Sequence, residues 1–328
     1  MSYSVTHESF ATLDSLWRNP QNQLSWPSIF VLPAWMEVWW QEFRPDGELY
    51  LAIVRQESDI IGIAPLRLQG QQVSFIGSVD VCDYMDFVVV PGRERDFFDA
   101  LLDDLKRNGI KHLKLEHLRP ESSVLNTLVD MAEKRGYEVS YHEDAVSLEL
   151  DLPATWEGYL AILNKKQRHE VERKLRRLRE TDGVEYYCTN VTKQVDGFLD
   201  TFLQLFVLSQ GEKADFMTEQ KESFFRAIAS AMASLGMLRF GTLEIDKSPV
   251  AMVMGFDYDG RMYLYNSAYN PDFSHLSAGL LSKVLCIQES IQQGLKKWDF
   301  LKGAEPYKYH LGGSAVPLYS CQITINES

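Results

Sequence analysis

The sequence predicts an α/β protein made of two similar halves, each a mixed sheet flanked by helices. Three observations lead there. At 328 residues the chain is too long for one ordinary core, since domains usually run to ~100–200 residues. Hydrophobic residues make up 45% and aromatic residues 12%, enough for packed cores and too much for a disordered chain. No short sequence repeat is present, yet the order of expected elements repeats: strand, two helices, three strands, helix, strand, a variable element and a last strand. Three consecutive hairpin-linked strands followed by a crossover helix make a mixed sheet, not a purely parallel one.

In the first half a strand is expected over residues 3–6, helices over 8–18 and 34–43, and strands over 48–55, 60–68 and 72–78, with the turn signal Gln69-Gly70 before the last. An acidic, aromatic segment over 80–87 precedes the apolar run Val88-Val89-Val90, which Pro91-Gly92 stops. A helix over 94–106 ends at Asn108-Gly109, and a strand over 112–117, a helix over 122–135 closed by Gly136 and a strand region over 137–150 complete the half. Asp151-Leu152-Pro153 reads as the link, giving domains 1–152 and 153–328. Thr155 then caps one long helix to residue 180, ended by Asp182-Gly183. The second half follows with a strand over 184–190, helices over 195–209 and 218–235, and strands over 237–245, 250–258 and 262–268. Asp259-Gly260 joins the last two, a strong hairpin signal. A helix over 278–293 stopped by Gly294, a strand over 297–301, an irregular Gly-rich segment and a strand over 318–325 finish the chain.

The net charge of −13 disfavours non-specific nucleic-acid binding. Cys82, Cys188, Cys286 and Cys321 are scattered without a CxxC pair, which excludes a zinc ribbon and fits reduced thiols. The seven histidines show no ligand spacing, and GxGxxG, Walker A, HExxH and GxSxG are all missing, so no metal or dinucleotide site is expected. No secretory signal opens the chain and no apolar run approaches the ~20 residues of a membrane span. A soluble, cytoplasmic protein is the expectation.

Four segments carry candidate chemistry. Ser274-His275-Leu276-Ser277-Ala278-Gly279-Leu280-Leu281 follows the third hairpin strand and opens a helix, where unpaired N–H groups favour phosphates. Small residues at Ser277, Ala278 and Gly279 let a pyrophosphate approach, with His275 and Leu280 beside it. On the octapeptide alone a Ser-capped helix start is the simpler reading; the strand order around it favours a ligand site. Trp298-Asp299-Phe300-Leu301-Lys302-Gly303-Ala304-Glu305-Pro306-Tyr307-Lys308 leaves the next strand, where side chains converge on a crevice. Its rival reading is a surface loop. Asp80, Asp83 and Asp86 share one aromatic stretch. They bind a polar or cationic acceptor and raise one another's pKa, or form a solvated loop; the two readings weigh equally. The fourth is a basic helix in which Lys165, Lys166, Arg168, Arg173, Lys174, Arg176, Arg177 and Arg179 face only Glu170 and Glu172. Val171, Leu175 and Leu178 form its apolar stripe. Most of these charges read as a solvated face, with Lys166 and Arg168 the best placed for a phosphate.

The segment from Trp298 to Lys308 resembles the D-F-x-x-G-x-E-x-Y-K signature of CelD-like GNAT-superfamily acyltransferases of polysaccharide biosynthesis, which are similar in fold to FemAB-type aminoacyl transferases. Asn164-Lys165-Lys166-Gln167-Arg168-His169-Glu170-Val171 resembles that family's basic helix. Tyr265-Asn266-Ser267-Ala268-Tyr269-Asn270 with Ser277-Ala278-Gly279 resembles its Y-x-x-x-Y-D…S-P-G block, Asn270 and Ala278 departing from Asp and Pro. Phe30-Val31-Leu32-Pro33-Ala34-Trp35 resembles its N-terminal block. The order of elements is that of the GNAT fold, although the Gln/Arg-x-x-Gly-x-Gly/Ala pyrophosphate loop is incomplete.

The resemblance implies two GNAT-like domains, the first on the acceptor side and the second holding acetyl-CoA or another acyl-CoA. It implies transfer to an amine or hydroxyl of a small polar molecule or sugar precursor. Glu305 is then the candidate base and Lys308 the candidate stabiliser of the tetrahedral oxyanion. Tyr307 or Tyr309 is the candidate donor to the leaving thiolate. Glu305 and Lys308 have a rival reading as a mutual surface pair. Asp83 and Asp86 would face a cleft between the halves, and Trp35 either lines it or is core. The alternatives are a FemAB-type transferase, which would make tRNA a partner of the basic helix, and a non-catalytic GNAT domain that binds a partner.

Overall fold

The computed structural model describes residues 3–78, 80–190, 193–209 and 217–326. Two compact units divide the chain: Met1–Val146 with Val316–Ser328, and Ser147–Ala315. The expected boundary at 152/153 therefore differs from the observed division. The structure gives the last strand to the first unit and residues 147–152 to the second.

Unit 1 contains β1 (Tyr3–His7), α1 (Phe10–Trp17), α2 (Pro33–Phe43), β2 (Glu48–Gln56), β3 (Asp59–Gln69), β4 (Gln72–Phe75), β5 (Val88–Val89), α3 (Glu94–Arg107) and β6 (His112–Leu118). A π turn over Val124–Leu128 runs into α4 (Val129–Lys134). The strands β7 (Glu138–Asp151) and β13 (Ser314–Thr324) each cross a unit boundary. The sheet runs β1-β2-β3-β4-β6-β13, with β5 beside β3. All neighbours are antiparallel except β4 and β6, which pair in parallel only from Gln72↔His112 to Ser74↔Lys114. Pro33 opens α2, where its fixed φ suits a first helical residue. Glu94 and Asp96 open α3 while Lys106 and Arg107 close it, matching the helix dipole at both ends.

Unit 2 adds α5 (Trp156–Ile162), α6 (Lys165–Arg179), β8 (Val184–Asn190), α7 (Val195–Leu208), α8 (Glu219–Ser234), β9 (Leu238–Ile245), β10 (Ser248–Tyr258), β11 (Arg261–Tyr269), α9 (Ala278–Gln292), β12 (Lys297–Lys302) and α10 (Pro306–His310). Its sheet runs β7-β12-β11-β10-β9-β8. Again one pair is parallel, β11 with β12, and again it lasts three registers, Arg261↔Lys297 to Tyr263↔Asp299. The two units thus share one strand pattern, as the repeated order of elements predicted.

Two elements differ from expectation. The helix expected over 155–180 is two helices, α5 and α6. Leu163 is extended (ψ 140°), and Asn164 caps α6 by accepting from the Gln167 N–H while the Gln167 side chain accepts from the Asn164 N–H. This reciprocal box satisfies two donors and restarts the helix. The segment expected to be irregular contains the short helix α10, opened by Pro306. Val171, Leu175 and Leu178 of α6 are buried in the core of unit 2 with Tyr159, Leu243, Leu281 and Trp298, each contributing about 1.5–3 kcal/mol by burial.

Asn164→Ala is expected to destabilise unit 2 by about 1 kcal/mol through loss of the box. Denaturant midpoints of the variant and the parent check this, and equal midpoints would deny the cap its role.

Candidate active site

Beyond Tyr263↔Asp299, β11 and β12 stop pairing while each continues, β11 to Tyr269 and β12 to Lys302. Their carboxyl ends therefore part, the position where open α/β sheets hold ligands. Side chains meet the β11 backbone here. Asn266 Oδ1 accepts from the Ser267 N–H at 2.8 Å. Ser209 Oγ, at the end of α7, accepts from the Tyr269 N–H at 2.9 Å.

A turn over Pro271–Leu276 leads from β11 into α9. Ser277 sits at the helix start with φ 58°, and its side chain makes no cap bond. The Ala278 and Gly279 N–H groups have no hydrogen-bond acceptor among the described residues, the first acceptances by Ser277 O coming from Leu280 and Leu281. Two donors without an acceptor stand at the positive end of a helix of 15 residues, the end that favours an anion, although Ala278 itself is buried. His275 is exposed and its Nδ1 lies 3.1 Å from Asp272 O. Gly279 has a packing reason as well: a Cβ there would stand 2.8 Å from the Tyr269 ring.

The segment 299–308 is wired to itself. Asp299, wholly buried, accepts from the Leu301 N–H at 2.9 Å and pairs with Arg261 at 2.8 Å. Leu301 takes φ 61° and Gly303 φ 110°, a turn that aims three successive carbonyls inward. Lys308, only 3% exposed, meets them: Nζ lies 3.2 Å from Leu301 O, 2.6 Å from Lys302 O and 3.1 Å from Gly303 O. Glu305 Oε2 is 2.9 Å away. An ammonium has three N–H donors, so the geometry leaves none for an oxyanion. The Glu305–Lys308 pair of the rival reading is present, but with Lys308 buried and not on the surface, and Lys308 holds the loop. Glu305 is 55% exposed, and its Oε1 makes no hydrogen bond among the described residues.

Tyr307 is partly buried against the core, with the Lys283 ammonium 5.0 Å from its ring centre. Burial, then the charge of Glu305, pushes its phenol pKa well up, so it stays protonated. Lys283 lies on α9 and donates to Gly279 O at 2.7 Å. The helix start and the 305–308 segment therefore meet. Gln167 Nε2 reaches Tyr309 O at 3.5 Å, which brings the start of α6 to the same place. Lys166 is exposed and Arg168 partly so; neither has an acidic partner among the described residues, whereas Glu170 pairs with Arg173 and Lys174. Tyr309 is 40% exposed.

In unit 1 the picture is less open. Trp35 is wholly buried, with its indole N–H 3.3 Å from Cys82 Sγ and its ring edge against Phe30. It has no surface for a substrate and is a core residue. Asp86 caps the helical segment at Ser123, accepting from its N–H and hydroxyl at 2.9 and 2.6 Å and from the Phe87 N–H at 2.8 Å. Burial raises its pKa to about 6, against the lowering effect of the Ser123 bonds. Burial, not the mutual effect expected among the three acids, is its main cause, and Glu121 adds to the rise. Asp83 is partly buried and Asp80 exposed. Sequence reasoning missed Ser209, which reaches Tyr269 from 60 positions away, and Lys283, whose position against Tyr307 no local motif marks.

Residues 165–309 match the family model described as Acetyltransferase (GNAT) domain. No curated protein matches the sequence. Among solved structures, FemX superposes with a TM-score of 0.64 at 11% identity, covering 97% of this chain and 96% of that one. A conserved protein of unknown function from Bacteroides thetaiotaomicron VPI-5482 gives 0.63 at 11%, covering 99% and 100%. A tandem GNAT protein from the clavulanic acid biosynthesis pathway gives 0.52 at 11%, covering all of both chains. At these identities the likeness is one of fold, and the fold is that of GNAT proteins. Among the described residues no three His, Cys, Asp or Glu side chains are grouped to hold a metal, and no helix is long and apolar enough to cross a membrane.

Lys308→Met is expected to destabilise unit 2 by about 2–4 kcal/mol, because three inward carbonyls lose their donor; a denaturant midpoint unchanged from the parent would refute that. Asp86 is predicted to act in the opposite sense to most carboxylates. Its raised folded pKa means that ionisation favours the unfolded chain. The stability of the parent relative to Asp86→Asn should therefore fall by about 2–3 kcal/mol as the pH rises from 4 to 7. Denaturation of both proteins at each pH measures it.

Proposed function

We propose that this protein is an acyltransferase that moves an acyl group from coenzyme A to an amine or hydroxyl of a small polar acceptor. The observation that carries the reading is the pairing of the parted β11 and β12 with the bare Ala278 and Gly279 N–H groups, inside the span that matches a GNAT acetyltransferase domain. The donors at the start of α9 suit a pyrophosphate. The open edge of β11 beyond Tyr263 suits an extended amide-bearing chain, with Ser209 and Asn266 now occupying some of its backbone groups. Bound acyl-coenzyme A would supply the activated thioester.

The residues then divide the work. Glu305 Oε1 takes the proton of the acceptor as it attacks, while Oε2 stays on Lys308. Tyr307, kept protonated by burial, donates a hydrogen bond to the departing thiolate, which takes up the proton that Glu305 removed from the acceptor. Lys308 positions both by holding the loop. An acceptor from polysaccharide or envelope precursors remains part of the proposal through the CelD-like signature at Asp299 to Lys308. A FemAB-type donor, aminoacyl-tRNA, is the second reading; the fold likeness to FemX and the unpaired Lys166 and Arg168 favour it.

Acetyl-CoA at about a hundred times its Kd should raise the stability of the full chain by about 2.7 kcal/mol, and Glu305→Gln should keep that shift while lowering kcat by about 10²–10⁴. Binding of aminoacyl-tRNA that falls steeply with salt, without any response to acetyl-CoA, would favour the second reading. Response to neither would end both.

A further inference from the structure

The parallel pair of unit 1 also parts early, and at its carboxyl end lies a cavity of about 40 Å³ that the acyltransfer reading does not use. Pairing of β4 with β6 ends at Ser74↔Lys114, and β3 places Arg67 opposite Ser74. Arg67, Ser74 and Lys114 are thus successive cross-strand neighbours on one face. All three line the cavity, as do Ser78 and Glu116.

The charges do not cancel. Lys114 is matched by Glu116 at 3.0 Å. Arg67 has no carboxylate partner among the described residues; its Nε and Nη2 reach only Ser74 Oγ, at 3.4 and 3.3 Å. Its guanidinium lies 5.9 Å from the Trp39 ring centre, which fixes its plane. Ser78 Oγ accepts from the Trp39 indole N–H at 3.2 Å and so keeps its own proton to donate. One uncompensated guanidinium and two hydroxyls therefore converge on a hollow with room for a few heavy atoms, since one water needs about 10–15 Å³. A guanidinium fork is shaped for a planar or tetrahedral oxyanion.

We propose that this cavity binds one carboxylate or phosphate group of a small molecule, with Arg67 as its main contact. The proposal is independent of the donor site between β11 and β12. The rival role for Arg67 is a cover for Trp39 with no ligand.

Isothermal titration of the full chain with sodium phosphate, and separately with sodium acetate, at constant ionic strength tests it and tells the two anions apart. The parent should bind at least one of them. Arg67→Gln should weaken that binding about tenfold or more, while acetyl-CoA binding stays as in the parent. Arg67→Lys, which keeps the charge and loses the fork, should weaken it about threefold or more, and it decides the matter if Arg67→Gln does not fold. Parent-like affinity in the folded variants, or no binding of either anion by the parent, overturns the proposal.

Discussion

Lys308 brings a positive charge into a place with 3% exposure, and the chain before it bends so that three consecutive carbonyls face that charge. A buried ammonium costs several kcal/mol unless each N–H finds an acceptor. Convergence of Leu301, Lys302 and Gly303 on one atom is possible only because Leu301 and Gly303 take positive φ. A Cβ on Gly303 would stand 2.5 Å from Glu305 Oε2, so the glycine is needed twice, for conformation and for space. Asp299 begins the turn by holding the Leu301 N–H. The positions of Glu305 and Tyr307 after β12 follow from this one ammonium.

The other constraint is the single parallel pair in each sheet. Its antiparallel neighbours fix β11 to β10 and β12 to β7 by register, and twist between adjacent strands makes a weakly held parallel pair the place where the sheet opens. The units fill that opening differently. In unit 2 the next helix starts almost at once, after a turn over Pro271–Leu276, and brings bare N–H groups to the gap. In unit 1 the residues after β4 fold over the gap themselves: His117 Nδ1 meets Cys82 O at 2.9 Å, and the Met85 N–H donates to His117 O at 3.1 Å. Met85 and Cys82 then wall the small cavity of about 40 Å³ that is left there.

What the sequence made legible was what is local. Asp259-Gly260 marked the β10–β11 hairpin, and the alternation around it gave the strands within a residue or two. Asn164 and Gln167 carried the signal for a new helix, but the apolar residues before them and the basic run after them read as one helix capped at Thr155. Gly279 was visible as a glycine, whereas its contact with Tyr269 joins a helix to the end of a strand. Asp86 illustrates the same limit. Its acidic neighbours suggested mutual repulsion, yet its partner is Ser123, 37 positions on. The loop signature was legible as a motif; that Lys308 serves it from inside was a matter of where three carbonyls point.

The charges of α6 cannot be explained by the helix. Arg176, Arg177 and Arg179 stand in its last turn, where cations favour the dipole. Lys165, Lys166 and Arg168 stand at the opposite end, where cations oppose it, and the first turn holds no acid. Like charges four apart, as at Arg173 and Arg177, cost a further few tenths of a kcal/mol. Glu170 offsets Arg173 and Lys174, but nothing offsets the N-terminal three among the described residues. Such an arrangement loses stability for no structural return. It sits, moreover, where Gln167 touches Tyr309, beside the loop that Lys308 holds. In a chain of net charge −13, the proposed acyltransfer reading gives these cations an anionic donor to meet, beside the loop that Lys308 holds.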